Sequence, residues 1–370
     1  MEETEPAIQA VFEGFGKQQL QENFQSIVRA EAIYYPVAYR LIRRIGAGRQ
    51  GLVYLAERQG SRGCVTRHAV KLFDPSIYPN AKKYWTDMGR IANQVSRLHG
   101  ASSPNLVDCD TYEESNGIGY LQMEHIGGLD LRRFLDAEHV AAARRNSNER
   151  EWRGFLAAIF NFDDDRLRVQ PGIAVYVMRQ MLAGLETLHS AGYLHCDIKP
   201  GNIMIDRLGY VKLIDFGRAV LVNERSRVLF GSPAYMAPEL HENREPTRRS
   251  DLYSVGLVGL ELMRGLPLGD GKAQSESDLL TLKNRLPAAL PSLVPSYVLR
   301  NQSLMRMLAR LLDPDPAGRY ESAEVAESAK EGLALVHKQL THLGMDSDYR
   351  RDLASYLEKT ADPAVEASWR

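Results

Sequence analysis

Two short polar segments near the middle of the chain constrain its fold more than any other feature. Residues 194–202 include an aspartate, a lysine and an asparagine, and residues 213–217 bring a further aspartate. Between them, the stretches 203–206 and 210–213 are short and largely apolar and are separated by a turn with glycine, which predicts a β-hairpin. The polar segments therefore flank one hairpin. Two carboxylates, an amide and a fixed cation are what magnesium and phosphate chemistry requires.

In order and spacing, these segments resemble the catalytic loop and the D-F-G metal loop of the eukaryotic-type Ser/Thr protein kinases. The alternative is a loop between a helix and a strand that is polar by chance. It is weak, because so many residues match the family pattern in order and spacing. The resemblance implies an α+β, bilobal protein-kinase-like fold with a small antiparallel β-sheet N-lobe and a mainly helical C-lobe. The expected divisions are an N-terminal helical extension (1–38), an N-lobe (39–124), a C-lobe (125–330) with an insertion at about 136–170, and a C-terminal helical tail (331–370).

The resemblance also implies a role for each polar residue of the two loops. Asp197 would accept or orient the proton of the attacking hydroxyl, and Lys199 would offset charge on the transferred phosphoryl group. Asn202 and Asp215 would ligate Mg²⁺ at the phosphates of ATP. Positioning and charge neutralisation would then supply most of the catalysis.

A glycine motif, G-A-G-R-Q-G at residues 46–51, precedes these loops. The motif alone is weak, because dinucleotide-binding folds share it, but residues 52–56 predict a strand where such a fold would begin a helix. A strand–glycine–strand hairpin lets backbone N–H groups approach phosphates, and the motif is similar to the kinase glycine-rich loop. The resemblance implies nucleotide contacts by Gly46, Gly48, Gly51, Val53, Lys71, Glu124, Ile126, Asp130, Asn202 and Asp215.

Four of these residues have specific expected partners. Lys71, on a predicted strand, matches the lysine that neutralises the α- and β-phosphates and counts as catalytic. Glu124 and Ile126 lie in a segment that resembles the hinge between lobes, whose backbone groups bind adenine. Asp130 would reach the ribose hydroxyls, although an aspartate near a helix start more often caps that helix.

The helix expected after Lys71 departs from the family pattern. The family has a glutamate there that pairs with the lysine, whereas the only acidic residue between Asp74 and Asp108 is Asp87. The expected position falls near Ile91, one helical turn later. Two alternatives remain open: Asp87 pairs with Lys71 from a shifted helix, or it faces solvent in the first turn.

Further motifs favour a Ser/Thr protein kinase. A lysine two residues after Asp197 is the Ser/Thr pattern, and residues 231–239 resemble G-T-x-x-Y-x-A-P-E. The resemblance implies a buried ion pair between Glu239 and Arg319. Asp251 matches the helix aspartate that braces the catalytic loop from below.

Regulation is expected to differ from that of many family members. Cys196 stands where regulated kinases have an arginine that binds the activation-loop phosphate. We therefore expect activity without loop phosphorylation. Ser226 is a candidate phosphosite, but a plain polar loop serine is the favoured interpretation.

Three functions are weighed on these grounds. The leading prediction is Mg²⁺-dependent transfer of the γ-phosphate of ATP to a serine or threonine of a protein substrate. The alternative is a kinase-fold pseudokinase or nucleotide-binding scaffold with weak or no phosphotransfer, which the missing glutamate suggests. A small-molecule phosphotransferase of the related fold is third, and it would usually lack the 237–239 segment and its Arg319 partner.

Composition excludes several partners and compartments. A chain of 370 residues suits two lobes, and a net charge of −1 gives no reason to expect nucleic acid or a membrane as partner. Three widely spaced cysteines favour a reducing cytoplasm over a disulfide framework or a zinc cluster. No apolar run is long enough for a membrane span, and the acidic start is unlike a secretory signal.

The flanking segments are expected to be accessory. An apolar stripe at helical spacing within residues 20–28 predicts a helix, more simply a packing helix than a regulatory one. The insertion at about 136–170 is charged and expected to be exposed. Partner docking through it, or through the N-terminal helix, is the sharper hypothesis. Helices are expected at 326–342 and 346–359.

Overall fold

The structure, a computed structural model, describes residues 15–163, 166–222, 232–269, 275–341 and 346–360. The described chain forms two compact units. The first consists of the residues up to Ser102 together with Val107–Ile126, and the second of Ser103–Leu106 and the chain from Gly127 onward. One unit is built on an antiparallel sheet and the other mainly on helices, which confirms the predicted fold class.

The first unit is a six-stranded antiparallel sheet with two helices. Its strands are β1 (Ala32–Ile33), β2 (Tyr39–Gly48), β3 (Gly51–Gln59), β4 (Val65–Phe73), β5 (Cys109–Ser115) and β6 (Ile118–Glu124). Their order in space is β1-β2-β3-β4-β6-β5. The helices are α1 (Lys17–Ala30) and α2 (Ala81–Leu98). The predicted hairpin around the glycine motif is confirmed, since β2 pairs with β3 up to Gly48 and Gly51.

Helix α1 is part of the core of this unit. The predicted stripe buries Leu20, Phe24 and Ile27, and the helix packs on β1 and β6. The side-chain amide of Asn23 donates to the backbone oxygen of Asn116 at 2.8 Å. This arrangement supports the packing interpretation of the N-terminal helix.

The second unit contains the remaining described elements. Its helices are α3 (Leu131–Phe134), α4 (Ala137–Arg145), α5 (Glu149–Ala158), α6 (Pro171–Ser190), α7 (Pro238–His241), α8 (Arg248–Arg264), α9 (Glu276–Leu293), α10 (Ser296–Leu299), α11 (Gln302–Leu311), α12 (Ala323–Ser328), α13 (Leu333–Leu340) and α14 (Asp346–Thr360). Its strands are β7 (Gly128–Asp130), β8 (Phe160–Asp163), β9 (Arg166–Val169), β10 (Tyr193–Leu194), β11 (Ile203–Asp206), β12 (Val211–Leu213) and β13 (Val220–Leu221). Helices α6 and α8 are buried along most of their length and pack on each other.

The predicted hairpin between the two polar loops is confirmed as β11 and β12, and β7 adds a third antiparallel strand. At its open end, the backbone N–H of Ile214 donates to the backbone oxygen of Asn202 at 2.9 Å. The hairpin therefore holds the two polar loops side by side.

The insertion and the C-terminal helix pack together. Helix α14 lies against α4, α5 and α6, and the fully buried Tyr356 ring contacts the rings of Phe134, Phe155 and Phe160. The insertion is thus partly buried, and its charged residues remain exposed together with the ring of Phe162. The sequence analysis classified the insertion by its charge runs and did not consider its apolar residues. Residues 164–165 lie outside the described part.

The single helix expected at 326–342 is wrong, because the structure has two helices, α12 and α13, with a break between them. A β-carbon at Gly332 would lie 2.6 Å from the backbone oxygen of Ala326. The chain therefore turns there at a glycine. Among the described helices, none combines the length and apolar character that a membrane span requires.

Candidate active site

The predicted catalytic residues of the second unit converge on Asp197. Its carboxylate oxygen Oδ2 accepts from Lys199 Nζ at 2.7 Å and from Asn202 Nδ2 at 3.0 Å. Asn202 Nδ2 also donates to the Asp197 backbone oxygen at 2.8 Å. Within the described ranges, the other carboxylate oxygen, Oδ1, has only the Ser232 hydroxyl, at 3.5 Å, at the limit of a hydrogen bond. Two donors thus fix the carboxylate and leave Oδ1 free to accept a proton.

Asp251 holds the backbone of this loop, as predicted. Its carboxylate accepts from the backbone N–H groups of His195 and Cys196, each at 2.9 Å, and from His189 Nε2 at 2.9 Å. Although burial alone would raise the pKa of Asp251, the hydrogen bonds from His189 and Cys196 hold it below its ordinary value. A buried anion therefore fixes the loop, including Cys196, whose φ of 60° is uncommon outside glycine.

Asp215 follows directly on the residue that bonds to Asn202. It has a φ of 62° and caps a short turn, with Oδ1 accepting from the backbone N–H of Gly217 at 3.3 Å. The amide nitrogen of Asn202 is directed at Asp197, so the amide oxygen points away from that residue. An amide oxygen and a carboxylate are the hard ligands that Mg²⁺ prefers, and the donor set fits that ion.

In the first unit, the three glycines of the motif differ in why they are needed. Gly51 has a φ of +151°, and a β-carbon there would lie 1.9 Å from the Leu72 backbone oxygen, so the fold itself requires glycine. A β-carbon at Gly48 would meet nothing within 4 Å, and one at Gly46 only Val53 at 3.5 Å. The protein's own packing does not require these two glycines, which fits close approach by a ligand's phosphates.

Lys71 lies on β4, directly across from Val53 of β3. Its side chain is buried, and Nζ donates to Oε1 of Gln50, in the turn of the glycine motif, at 3.0 Å. Sequence reasoning missed Gln50. The signal available was a polar side chain one residue before Gly51, too common in turns to be singled out.

Both alternatives for Asp87 are wrong. Its carboxylate accepts from the Tyr78 hydroxyl at 2.9 Å and from Arg90 Nε at 3.1 Å, and neither oxygen bonds Lys71 in the part of the chain that the structure describes. Asp87 lies in the second turn of α2, with its side chain 21% exposed. Ile91, where the family's glutamate was expected, is buried. Helix α2 therefore packs through an apolar face.

The residues predicted to contact adenine and ribose have local partners. The Glu124 carboxylate accepts from the backbone N–H of Asp108 at 2.9 Å, at the end of β6. Ile126 is the last residue of the first unit. Asp130 caps α3 by accepting from the backbone N–H of Arg133 at 3.0 Å, which supports the capping alternative. A ribose contact by Asp130 stays a prediction.

Two further expectations concern the surroundings of the loop. The predicted ion pair is confirmed, since Arg319 Nη2 lies 2.8 Å from Glu239 Oε2 and both side chains are buried. Cys196 packs with Leu194, Val220 and Val222 in an apolar cluster, and burial raises the pKa of its thiol. Ser226 lies outside the described residues.

Comparisons with known proteins match most of the chain. A family profile described as the protein kinase domain matches residues 39–329. The chain is 30% identical over 336 residues to the serine/threonine-protein kinase PknD of Mycobacterium tuberculosis, covering 89% of this chain and 44% of the relative. It is 29% identical over 300 residues to the serine/threonine-protein kinase PrkC of Bacillus subtilis, covering 78% and 39%. The probable serine/threonine-protein kinase pknA2 of Bifidobacterium longum is 30% identical over 235 residues, covering 61% and 26%. The chain thus spans less than half the length of these relatives.

Proposed function

The chain belongs to the protein kinase domain family, and from this premise we propose that it transfers the γ-phosphate of ATP to serine or threonine hydroxyls of a protein. The single observation that carries the proposal is the fixed Asp197 carboxylate. One oxygen is held by Lys199 and Asn202, and the other is open to a substrate hydroxyl. The relatives named above as serine/threonine kinases support the same class of substrate.

Each residue has a distinct task in this proposal. Asp197 Oδ1 would accept the proton of the attacking hydroxyl, and Lys199 would offset charge on the transferred group. Asn202 and Asp215 would hold Mg²⁺, which supplies charge neutralisation at the phosphates when bound. Lys71 would contact the α- and β-phosphates. Positioning and electrostatics then account for most of the acceleration.

The remaining nucleotide contacts complete the proposal. Gly46, Gly48 and Gly51 would cover the phosphates, and Val53 would pack on adenine. Backbone groups of Glu124 and Ile126 would bind the adenine edge, and Asp130 would meet the ribose.

We further propose that activity does not require activation-loop phosphorylation. A phosphate bound beside the catalytic loop needs a cation there, as an arginine supplies in regulated kinases. Cys196 instead joins an apolar cluster with Leu194 and Val220. This cluster packs Val220 and Val222 on the catalytic loop, and Asp251 holds the backbone of that loop, so neither contact needs a phosphate.

The proposed setting is the cytoplasm, with protein substrates and no nucleic acid or membrane partner. None of the three cysteines, all within the described ranges, forms a disulfide, which suits a reducing compartment. A docking partner would meet the exposed polar faces of α1 or of the insertion, because most of their apolar side chains are packed within the protein.

A second candidate is a nucleotide-binding scaffold without phosphotransfer. One observation favours it: helix α2 offers Ile91, and not a carboxylate, at the position where the family pairs its lysine. The intact set of Asp197, Asn202 and Asp215 favours the first function.

A transfer assay separates the two functions. The protein is first treated with phosphatase, and the phosphatase is then removed. Wild type and Asp215→Ala are each incubated with labelled ATP, Mg²⁺ and dephosphorylated casein. We expect metal-dependent labelling without a lag in the wild type and none in the variant. Thermal stabilisation by ATP with no labelling would favour the scaffold, and a lag removed by autophosphorylation would contradict the proposed independence from loop phosphorylation.

The Gln50–Lys71 contact leads to a separate prediction. Gln50→Ala is expected to lower kcat/KM for ATP about three- to tenfold, because the Lys71 amine loses an acceptor that orients it. Initial rates at varied ATP and saturating casein measure this effect. Asp87→Asn is the matched control and is expected to stay within about twofold of the wild type, since Asp87 bonds Tyr78 and Arg90. A larger loss in Asp87→Asn than in Gln50→Ala would contradict this assignment.

A further inference from the structure

A lysine with no task in the proposed chemistry is fully buried in the second unit. Lys283 of α9 has no exposed surface. Its Nζ donates to the backbone oxygen of Pro233 and lies 2.9 Å from Nε2 of His241, on α7. Lysine is seldom fully buried, because desolvating an ammonium group is costly. A buried amine aimed at one carbonyl therefore needs an explanation.

That carbonyl belongs to a tight turn next to the catalytic aspartate. The backbone oxygen of Ser232 accepts from the N–H groups of Tyr235 and Met236 at 2.8 and 3.1 Å. The Ser232 hydroxyl lies 3.5 Å from Asp197 Oδ1. The carbonyl that Lys283 holds thus belongs to the residue directly after Ser232, whose hydroxyl lies near Asp197.

The other side of the turn is fastened to α8. The Tyr235 hydroxyl donates to Glu261 Oε2 at 2.6 Å, and the Ser254 hydroxyl donates to the Tyr235 backbone oxygen at 2.8 Å. With Lys283 on its N-terminal side, the turn is held between α8 and α9.

We propose that Lys283 is a positioning residue for the polypeptide substrate: its amine holds the Pro233 carbonyl, and with it the 232–236 turn beside Asp197. The proposal rests on the proposed kinase function. In that function the hydroxyl-bearing segment of the substrate must lie next to Asp197 Oδ1, so the turn forms one wall of its binding surface. Lys283 touches no substrate and acts only through the turn.

The surroundings of the amine make its hold depend on pH. Burial lowers the pKa of Lys283 to about 7, against the opposing pull of Glu276 and Glu239. Burial and the neighbouring Lys283 lower the pKa of His241 to about 4, so its ring is neutral near pH 7. Helix α11 also packs on α9, and its buried side chains are all apolar: Leu304, Met307, Leu308 and Leu311.

The direction of the pH effect follows from proton linkage. When the turn opens and Lys283 reaches water, its pKa returns towards the ordinary value of 10.5 and the amine takes up a proton. Raising the pH from about 7 towards 10 therefore favours the packed arrangement. The KM for a protein substrate should accordingly fall over pH 7 to 9, whereas the KM for ATP should not follow this trend.

The test compares Lys283→Met with wild type, using dephosphorylated casein and ATP as substrates. We expect the KM for casein to rise about tenfold and the KM for ATP to stay within about twofold. The pH trend over 7 to 9 should disappear. The melting temperature should stay within about 4 °C, since methionine fills the space without a buried charge. Arg285→Met, two residues further on the exposed side of α9, is the control and should change neither KM.

A purely structural lysine would give a different result. Equal losses in both KM values, or a lower melting temperature with an unchanged casein KM, would overturn the proposal. Restoration of the casein KM when Lys283→Met is assayed above pH 8 would overturn it too, because the variant has no amine to titrate.

Amide hydrogen exchange at Tyr235 and Met236 tests the proposal without any activity. Faster exchange in Lys283→Met than in wild type supports it, and equal exchange overturns it. If the variant does not fold, the wild type alone provides the test. Protection of these amides against exchange, corrected for the intrinsic exchange rate at each pH, should increase from pH 7 to 9. A protection factor that does not change with pH overturns the proposal. An inactive wild type would refute the kinase function and leave this measurement standing.

Discussion

Asp197→Asn is expected to lower kcat by about 10²–10⁴-fold, the usual contribution of a positioned general base. Asparagine keeps the shape of the side chain, but its amide cannot take a proton from a substrate hydroxyl. In the wild type, Lys199 and Asn202 hold Oδ2 and leave Oδ1 for that task. We expect the KM for ATP to change by less than about threefold, since no nucleotide contact is assigned to Asp197. Steady-state transfer to casein measures both constants.

Glu138→Gln is the matched control for this change. Glu138 is an exposed carboxylate on α4 and part of no assigned contact to substrate. Its variant should keep the kcat of the wild type, and both variants should melt within a few degrees of it. A kcat in Asp197→Asn above about a tenth of the wild-type value would contradict the assigned role, because that loss is only about 1.4 kcal/mol.

The catalytic loop was predictable because its geometry is local. The hairpin β11–β12 follows from two short apolar stretches and a turn. Because a hairpin brings its two ends together, the segments that contain Asn202 and Asp215 lie side by side. The buried pair of Glu239 and Arg319 followed from the family resemblance, since nothing in spacing alone joins residues 80 positions apart. Contacts between residues far apart in sequence were therefore predicted only from their positions in motifs of the family.

Side-chain partners that depend on tertiary packing were not predictable. Asp87 has the right charge and nearly the right position, but its carboxylate accepts from the Tyr78 hydroxyl at 2.9 Å instead. Burial, together with the Asp87 carboxylate, raises the pKa of Tyr78, so its hydroxyl stays a donor. Lys283 gave no sign either, because a lysine on a helix is normally a solvated residue. Only the packing of α7 and α9 shows that its amine is enclosed.

Arg319→Ala is expected to destabilise the protein by about 3–5 kcal/mol, the usual result of removing one partner of a buried ion pair. Arg319 uses all five of its N–H donors: two bonds go to the two Glu239 oxygens, at 2.8 Å each, and three to backbone oxygens of Asp313, Pro314 and Arg249. The variant leaves a buried carboxylate and three carbonyls without these donors. Urea unfolding followed by fluorescence measures the loss.

Arg319→Lys separates charge from geometry. Lysine keeps the charge but offers three donors in place of five and cannot make the bidentate contact. We expect it to recover less than half of the lost stability. Recovery of nearly all of it would show that charge alone stabilises the site.

The pH dependence of unfolding tests whether Arg319 holds the Glu239 carboxylate in its charged form. Burial alone would raise the pKa of Glu239, but hydrogen bonds from Arg319 and Ser250 hold it below its ordinary value of 4.5. A carboxylate with a lowered folded-state pKa stabilises the fold above pH 4.5, and this contribution is lost as the pH falls below that value. The double variant Glu239→Gln with Arg319→Met has no such carboxylate, so its stability should fall less than that of the wild type on acidification below pH 4.5. Equal acid sensitivity of the two proteins would mean that the carboxylate is not held by Arg319. The pair would then owe its position to packing around Tyr253, whose ring lies 4.6 Å from the guanidinium carbon.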